Sequence, residues 1–185
     1  MNFFDFITHF EQFLPILIQE YGAWVYAILF LIIFSETAFI FMFFLPGDSL
    51  LLTVGALCSV IKLMHLGYMF CLLTSAATLG YMVNYAIGRY FGNRIFTAKS
   101  RFIKQEYLNK TNLYFLKHGG KTILLARFIP FARSFAPLAA GSSNMSYGKF
   151  LIYNIVGAIL WICILLTAGY LFGHALIQVT DLVES

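Results

Sequence analysis

Long apolar runs make up most of the chain, and polar residues interrupt them at a few places. From Asn2 to Leu17 the residues Phe3, Phe6, Ile7, Phe10, Phe13, Leu14 and Leu17 recur at helical spacing, with Asp5, Thr8, Glu11 and Gln12 opposite. This stretch lacks the basic start and longer apolar run of a signal peptide. It predicts an amphipathic interfacial helix over residues 1–20. Gly22 to Leu45 then carries one charge, Glu36, before Pro46-Gly47-Asp48 and a charge-free run from Ser49 to Ile61. A helix of that last length rises only about 20 Å, short of a hydrocarbon core of roughly 30 Å. The Pro-Gly pair breaks any helix running through it. Ser49–Ile61 therefore reads as one arm of a re-entrant hairpin, and Gly22–Leu45 as either the other arm or a full span.

Leu66 to Gly88 is uncharged and long enough to span a bilayer. Ala76, Gly80, Asn84, Gly88 and Gly92 recur every fourth residue along it, a stripe that lets another backbone approach closely. The polar insert Arg89–Lys121 follows, with Arg89, Arg94, Lys99, Arg101, Lys104, Lys110, Lys117 and Lys121 against one acid, Glu106. The positive-inside rule makes this loop cytoplasmic, so Leu66–Gly88 runs outside to inside. Short helices are expected at Ser100–Lys110 and Asn112–His118, the second stopped by Gly119-Gly120. Thr122–Gly141 is apolar again but holds Arg127, Pro130, Arg133 and Pro137, so a second broken or re-entrant segment is expected, ending at Gly141. Phe150–Gly173 is a second charge-free span, and residues 176–185 form a short tail.

These segments repeat. One spanning run ends Ala86-Ile87-Gly88-Arg89-Tyr90-Phe91-Gly92; eighty-one residues later the other ends Thr167-Ala168-Gly169-Tyr170-Leu171-Phe172-Gly173. Each follows a proline-broken segment. If each unit crosses once, the two must be inverted relative to each other, as in many secondary transporters. The predicted fold is an all-α membrane protein: spanning helices plus two proline-broken re-entrant hairpins in an inverted repeat, with an N-terminal amphipathic helix. A single membrane domain covers 21–175, with repeat one at about 21–92, the basic cytoplasmic loop at 89–121 and repeat two at about 122–173.

Composition narrows the function classes. With 61% hydrophobic and 11% charged residues, the chain has too few charges to cover a soluble surface. Its 21 Phe and 11 Tyr exclude disorder. Cys58, Cys71 and Cys163 lie in apolar runs without CxxC spacing, and read as inert thiols. His9, His65, His118 and His174 are scattered, with no second ligand at metal-binding spacing. No metal, cofactor or nucleic-acid partner is expected. An enzyme is not expected either, because no histidine or Ser142-Ser143 hydroxyl has an identifiable catalytic partner.

Four ionisable residues interrupt the apolar broken segments: Glu36 and Asp48 in the first, Arg127 and Arg133 in the second. Each would cost roughly 2.5–3.5 kcal/mol at a bilayer centre if unpaired. They must face a cavity, each other or a ligand. One reading is a pair of structural ion pairs that clamp the repeats together. The other is a midplane anion site, since two arginines on a broken segment suit a phosphate. The arginines' spacing amounts to about 240° of net rotation on a regular helix. Only the break at Pro130 could let both converge.

The run from Phe115 through His118-Gly119-Gly120, Arg127-Phe128-Ile129-Pro130 and Arg133 to Pro137-Leu138-Ala139-Ala140-Gly141 resembles the signature of DedA family membrane proteins, of the SNARE-associated or VTT-domain group. Glu36 and Pro46-Gly47-Asp48-Ser49-Leu50-Leu51-Leu52 fit the same pattern. The resemblance spans about residues 20 to 175. It implies a multi-pass protein of the bacterial inner membrane that moves lipid across the bilayer, with undecaprenyl phosphate or a phospholipid as the partner lipid. It further implies Arg127 and Arg133 as the binders of lipid phosphate, and Glu36 and Asp48 as the essential acids. Phosphate competing with those acids for the arginines would make transport proton-coupled. The alternative is a non-transporting scaffold whose buried charges are structural. The oligomeric state stays open, a homo-oligomer included.

Overall fold

A computed structural model describes residues 24–39, 47–60, 65–97, 118–143 and 145–184. The interfacial helix expected over residues 1–20, Pro46, and the part of the basic loop that carries Ser100–Lys110 and most of Asn112–His118 lie outside them. Every regular element among the described residues is a helix: α1 (Trp24–Ala38), α2 (Gly47–Val60), α3 (Leu66–Thr97), α4 (118–126), α5 (Pro130–Ser142) and α6 (Tyr147–Glu184). Two of these are long and apolar enough to cross a membrane, through Leu66–Tyr90 and Tyr147–Ala175. Over the described residues, α1 and α2 are apolar but shorter.

Local sequence explains several boundaries. Asp48 sits in the first turn of α2, where a carboxylate meets the positive end of the helix dipole. Pro130 starts α5 at a position that needs no N–H, and Ile129 before it is extended (φ −115°, ψ 112°), as a following proline favours. Helix α4 closes in a tight turn, with Phe128 N–H donating to Leu125 O and Ile129 N–H to Ala126 O. Arg127 therefore stands in the break between α4 and α5.

Three expectations are corrected. Pro137 and Gly141 lie inside α5 and do not break it; one lost backbone donor is tolerated because α5 is braced along α3. Gly119-Gly120 does not stop a helix but runs within α4. Gly120 is there for closeness, since a Cβ on it would strike the Tyr153 ring. Helix α6 continues through residues 176–184, where no Gly or Pro interrupts it.

Apolar packing forms two clusters. In the first, Leu29 and Ile33 of α1 and Leu51 and Val54 of α2 join Met69 and Leu73 of α3 and Trp161, Ile162 and Leu166 of α6. In the second, Tyr81 and Tyr85, further along α3, meet Ile123, Ala136, Ala140 and Phe150, near the start of α6. The two long helices thus run antiparallel. The outer face of α6 carries exposed Ile152, Ile155, Ile159, Ile164 and Leu171, and α3 exposes Tyr68, Leu79 and Tyr90, a surface suited to lipid and not to water.

The helices exchange partners. Helix α2 packs on α6, while α5 packs on α3. The crossings are made by glycines: Gly55 lies against Leu166 O and Gly169 against Leu52 O, as Gly141 lies against Tyr85 O and Gly88 against Leu138 O. Leu52 and Gly55 are spaced as Leu138 and Gly141 are; Tyr85 and Gly88 are spaced as Leu166 and Gly169 are. A Cβ at Gly88 or Gly141 would strike backbone, which no rotamer change relieves. Gly88→Ala and Gly141→Ala are expected to lower stability in detergent by about 1–3 kcal/mol, the usual cost of overpacking. Gly67→Ala, with no neighbour within 4 Å, should leave the melting temperature unchanged or raise it.

Candidate functional site

Along α6 the buried sequence reads Phe150, Asn154, Ala158, so a polar residue falls where one apolar cluster gives way to the other. At this level the structure gathers Glu36, Asp48, Arg127 and Arg133. Glu36 projects from the last turns of α1 and is 2% exposed. Arg133, one turn into α5, donates from Nη2 to Glu36 Oε1 and from Nη1 to Asp48 Oδ1 at 2.8 Å. The two acids differ: the Asp48 side chain is 46% exposed. Glu36 Oε2 lies against the backbone of Gly47, where any Cβ would overlap it, so α2 begins with glycine because the carboxylate needs the space. One guanidinium thus ties α5 to both α1 and α2.

Arg127 is held differently. It is 2% exposed, and among the described residues it meets no carboxylate. Its Nη2 donates to Asn154 Oδ1 at 2.6 Å and to Ala77 O at 3.3 Å. Its guanidinium carbon lies 3.8 Å from the centre of the Tyr81 ring. Asn154 is fixed in turn by donating from Nδ2 to Thr78 O at 3.1 Å. Gly157 leaves room for the arginine stem, 3.2 Å from where a Cβ would sit. Arg127 Nε has no partner among the described residues, and neither do the buried Tyr81 Oη, Ser134 Oγ and Asn84 Oδ1.

Both arginines approach one side chain. Their guanidinium carbons lie 6.0 Å (Arg127) and 5.6 Å (Arg133) from the Trp161 ring centre. The break before Pro130 thus brings both cations to the same indole. Asn84, on the small-residue stripe of α3, donates from Nδ2 to Ser134 O at 2.9 Å and to Thr37 O at 3.3 Å, joining the end of α1 to α5. Tyr81, Asn154 and Trp161 were not marked by the pattern of charges. The available signal was one asparagine in an otherwise apolar span, a polar group that must find a partner there.

A model of the VTT domain matches residues 45–171. The chain is 50% identical over 171 residues to Protein DedA of Escherichia coli K12, covering 91% of this chain and 78% of that one. It belongs to the DedA family. Other relatives of this DedA family chain include the inner membrane protein YqjA of Escherichia coli K12, at 39% identity over 80% of this chain and 67% of the relative. An uncharacterized membrane protein of Mycobacterium leprae is 43% identical over 77% of this chain and 64% of its own length. None of these names carries an enzymatic activity. No solved structure matches the chain. The VTT match takes in Asp48, Arg127 and Arg133, while Glu36 precedes it.

Proposed function

We propose that this DedA family protein carries an anionic lipid across the bacterial inner membrane as a multi-pass, inverted-repeat transporter, with undecaprenyl phosphate as the first candidate. The observation that carries the reading is Arg127: a buried guanidinium that, among the described residues, meets no carboxylate and leaves Nε without a partner. Burying a guanidinium costs several kcal/mol, and neutral partners such as Asn154, Ala77 O and the Tyr81 ring supply no counter-charge, which a visiting anion would. A lipid phosphate suits it, because a planar guanidinium can offer two parallel donors. Arg133 is the second binder once its acids release it. Protonation of Glu36 or Asp48 frees that guanidinium for phosphate, and deprotonation displaces the lipid. This is the proton-coupling step.

The exchanged packing of α2 on α6 and α5 on α3, with its matched glycine crossings, supports reading two related, inverted halves. The α1–α2 and α4–α5 pairs would be the re-entrant hairpins. A scaffold reading draws on a different observation, the bridging of Glu36 and Asp48 by Arg133, which by itself is a structural clamp. Purified protein in vesicles separates the two. Fluorescent undecaprenyl phosphate and a fluorescent phospholipid are followed side by side, with and without a pH gradient. Faster movement of the polyprenyl phosphate than in protein-free vesicles, accelerated by the gradient, is expected. Rates equal to protein-free vesicles for both lipids would leave the scaffold.

A further inference from the structure

A groove of about 570 Å³ runs along α3 away from the buried charges. Leu79, Met82, Val83 and Ala86 line its floor at i, i+3, i+4, i+7 spacing, so for two turns it is wholly apolar. Its far end is different. Arg89, Tyr90 and Tyr147 close it there, beside Tyr85. Arg89 and Tyr90 stand at the end of the apolar span Leu66–Tyr90, the depth at which tyrosines and long basic side chains meet headgroups.

The charged end is built rather than loose. Tyr85 is buried, stacked on Phe150 with ring centres 4.3 Å apart, and its hydroxyl donates to Met145 O. The Tyr85 hydroxyl oxygen in turn accepts from Arg89 Nη1 at 3.1 Å, which fixes one corner of the guanidinium. A guanidinium carries five N–H donors, so the exposed Arg89 keeps others to offer. From Arg89 down to Leu79 the groove falls about 15 Å, half the thickness of a hydrocarbon core. Its deep end, at Leu79 and Met82, lies level along α3 with Tyr81, which is buried outside the groove and stacks its ring on Arg127.

We infer that this groove docks one anionic lipid, its phosphate on Arg89 and its chain along Leu79, Met82, Val83 and Ala86. The chemistry selects this occupant. A soluble anion would use the arginine and leave the slot exposed. A peptide segment would need backbone partners that four apolar side chains do not supply. A zwitterionic lipid would fill the slot but set its own cation beside Arg89. The groove joins headgroup depth to the depth of Arg127 along one helix, which makes it the loading position for that site. This last step rests on the transport reading above; the docking itself does not.

The test uses the whole protein in phosphatidylcholine nanodiscs, with trace phosphatidic acid bearing a mid-chain diazirine as probe and adducts mapped by mass spectrometry. Adducts are expected at Met82 and Val83, and should be scarce with a diazirine phosphatidylcholine. Arg89→Gln, which removes charge-assisted donors, should lower their yield about tenfold or more. Ala86→Trp, which fills the slot, should abolish them, with unchanged melting temperature showing the fold intact. Arg127→Lys should leave them as they are. Equal labelling by the two lipids, insensitivity to both groove variants, or cross-links to a second copy of the chain would overturn the docking site. Adducts without any lipid flux would retain the groove and remove the transport reading. Flux without adducts would do the reverse.

Discussion

Replacing Arg127 with lysine is expected to cut lipid translocation in vesicles on the order of a hundredfold, although the charge is kept. Each of the contacts that hold this side chain uses the guanidinium plane. Asn154 and Ala77 O accept from one edge, and the Tyr81 ring lies against the face. An ammonium group has neither edge nor face, and can serve phosphate only as a point charge. Losing a buried, hydrogen-bonded charge contact costs about 2–5 kcal/mol, and each 1.4 kcal/mol is tenfold. Asn154→Leu should weaken transport by a similar mechanism but to a smaller extent, because Arg127 keeps its charge and loses its orientation. Initial rates of fluorescent polyprenyl phosphate movement are the measurement, with melting temperature as control. A lysine variant that transports at the normal rate would remove two-donor phosphate recognition.

The second large effect concerns the cluster around Arg133. Arg133→Gln is expected to lower stability in detergent by about 3–5 kcal/mol, since it strands Glu36 among apolar neighbours without its cation. Adding Glu36→Gln to it should restore part of that loss, because two amides can pair where one carboxylate and one amide leave a charge unmatched. Adding Asp48→Asn should restore less, as Asp48 is half-exposed and already shares its charge with water. Glu36→Gln alone is expected to keep the fold and remove the dependence of transport on a proton gradient. Glu36→Asp, with its shorter reach, should weaken that dependence less. Thermal melting and gradient-driven flux on the same variants decide between coupling and clamping. Unstable amide variants with intact gradient dependence would assign the acids to the clamp alone.

That the four charges would be gathered was legible because each stands in an apolar run where a lone charge is too costly to be accidental. Their pairing was not. Spacing puts Glu36 and Asp48 in one broken segment and the two arginines in another, and says nothing about which acid meets which arginine. That depends on α5 crossing α3, which brings Arg133 to both acids and leaves Arg127 to Asn154. Asn154 and Trp161 stayed silent for a simpler reason: a count of charges passes over an amide and an indole. Glycine misled in one place and guided in another. At Gly119-Gly120 the pattern reads as a helix stop, yet Gly120 serves a close approach to Tyr153. On the α3 stripe closeness was the reading, and Gly80 and Gly88 do meet α1 and α5. The same residue type solves both problems, and only the neighbouring helix tells them apart.

The exchange of partners between halves also sets an order of events during synthesis. Helix α2 leaves the ribosome more than a hundred residues before Leu166 and Gly169, the stretch of α6 that receives it. At about 5–20 residues per second, its glycine face waits on the order of ten seconds without its partner. Helix α3 waits less, since α5 follows sooner. The α1–α2 stretch is therefore made without its partners, Glu36 and Asp48 preceding the Arg133 that bridges them. A chain cut between the halves would leave two fragments, each exposing the grooves meant for the other.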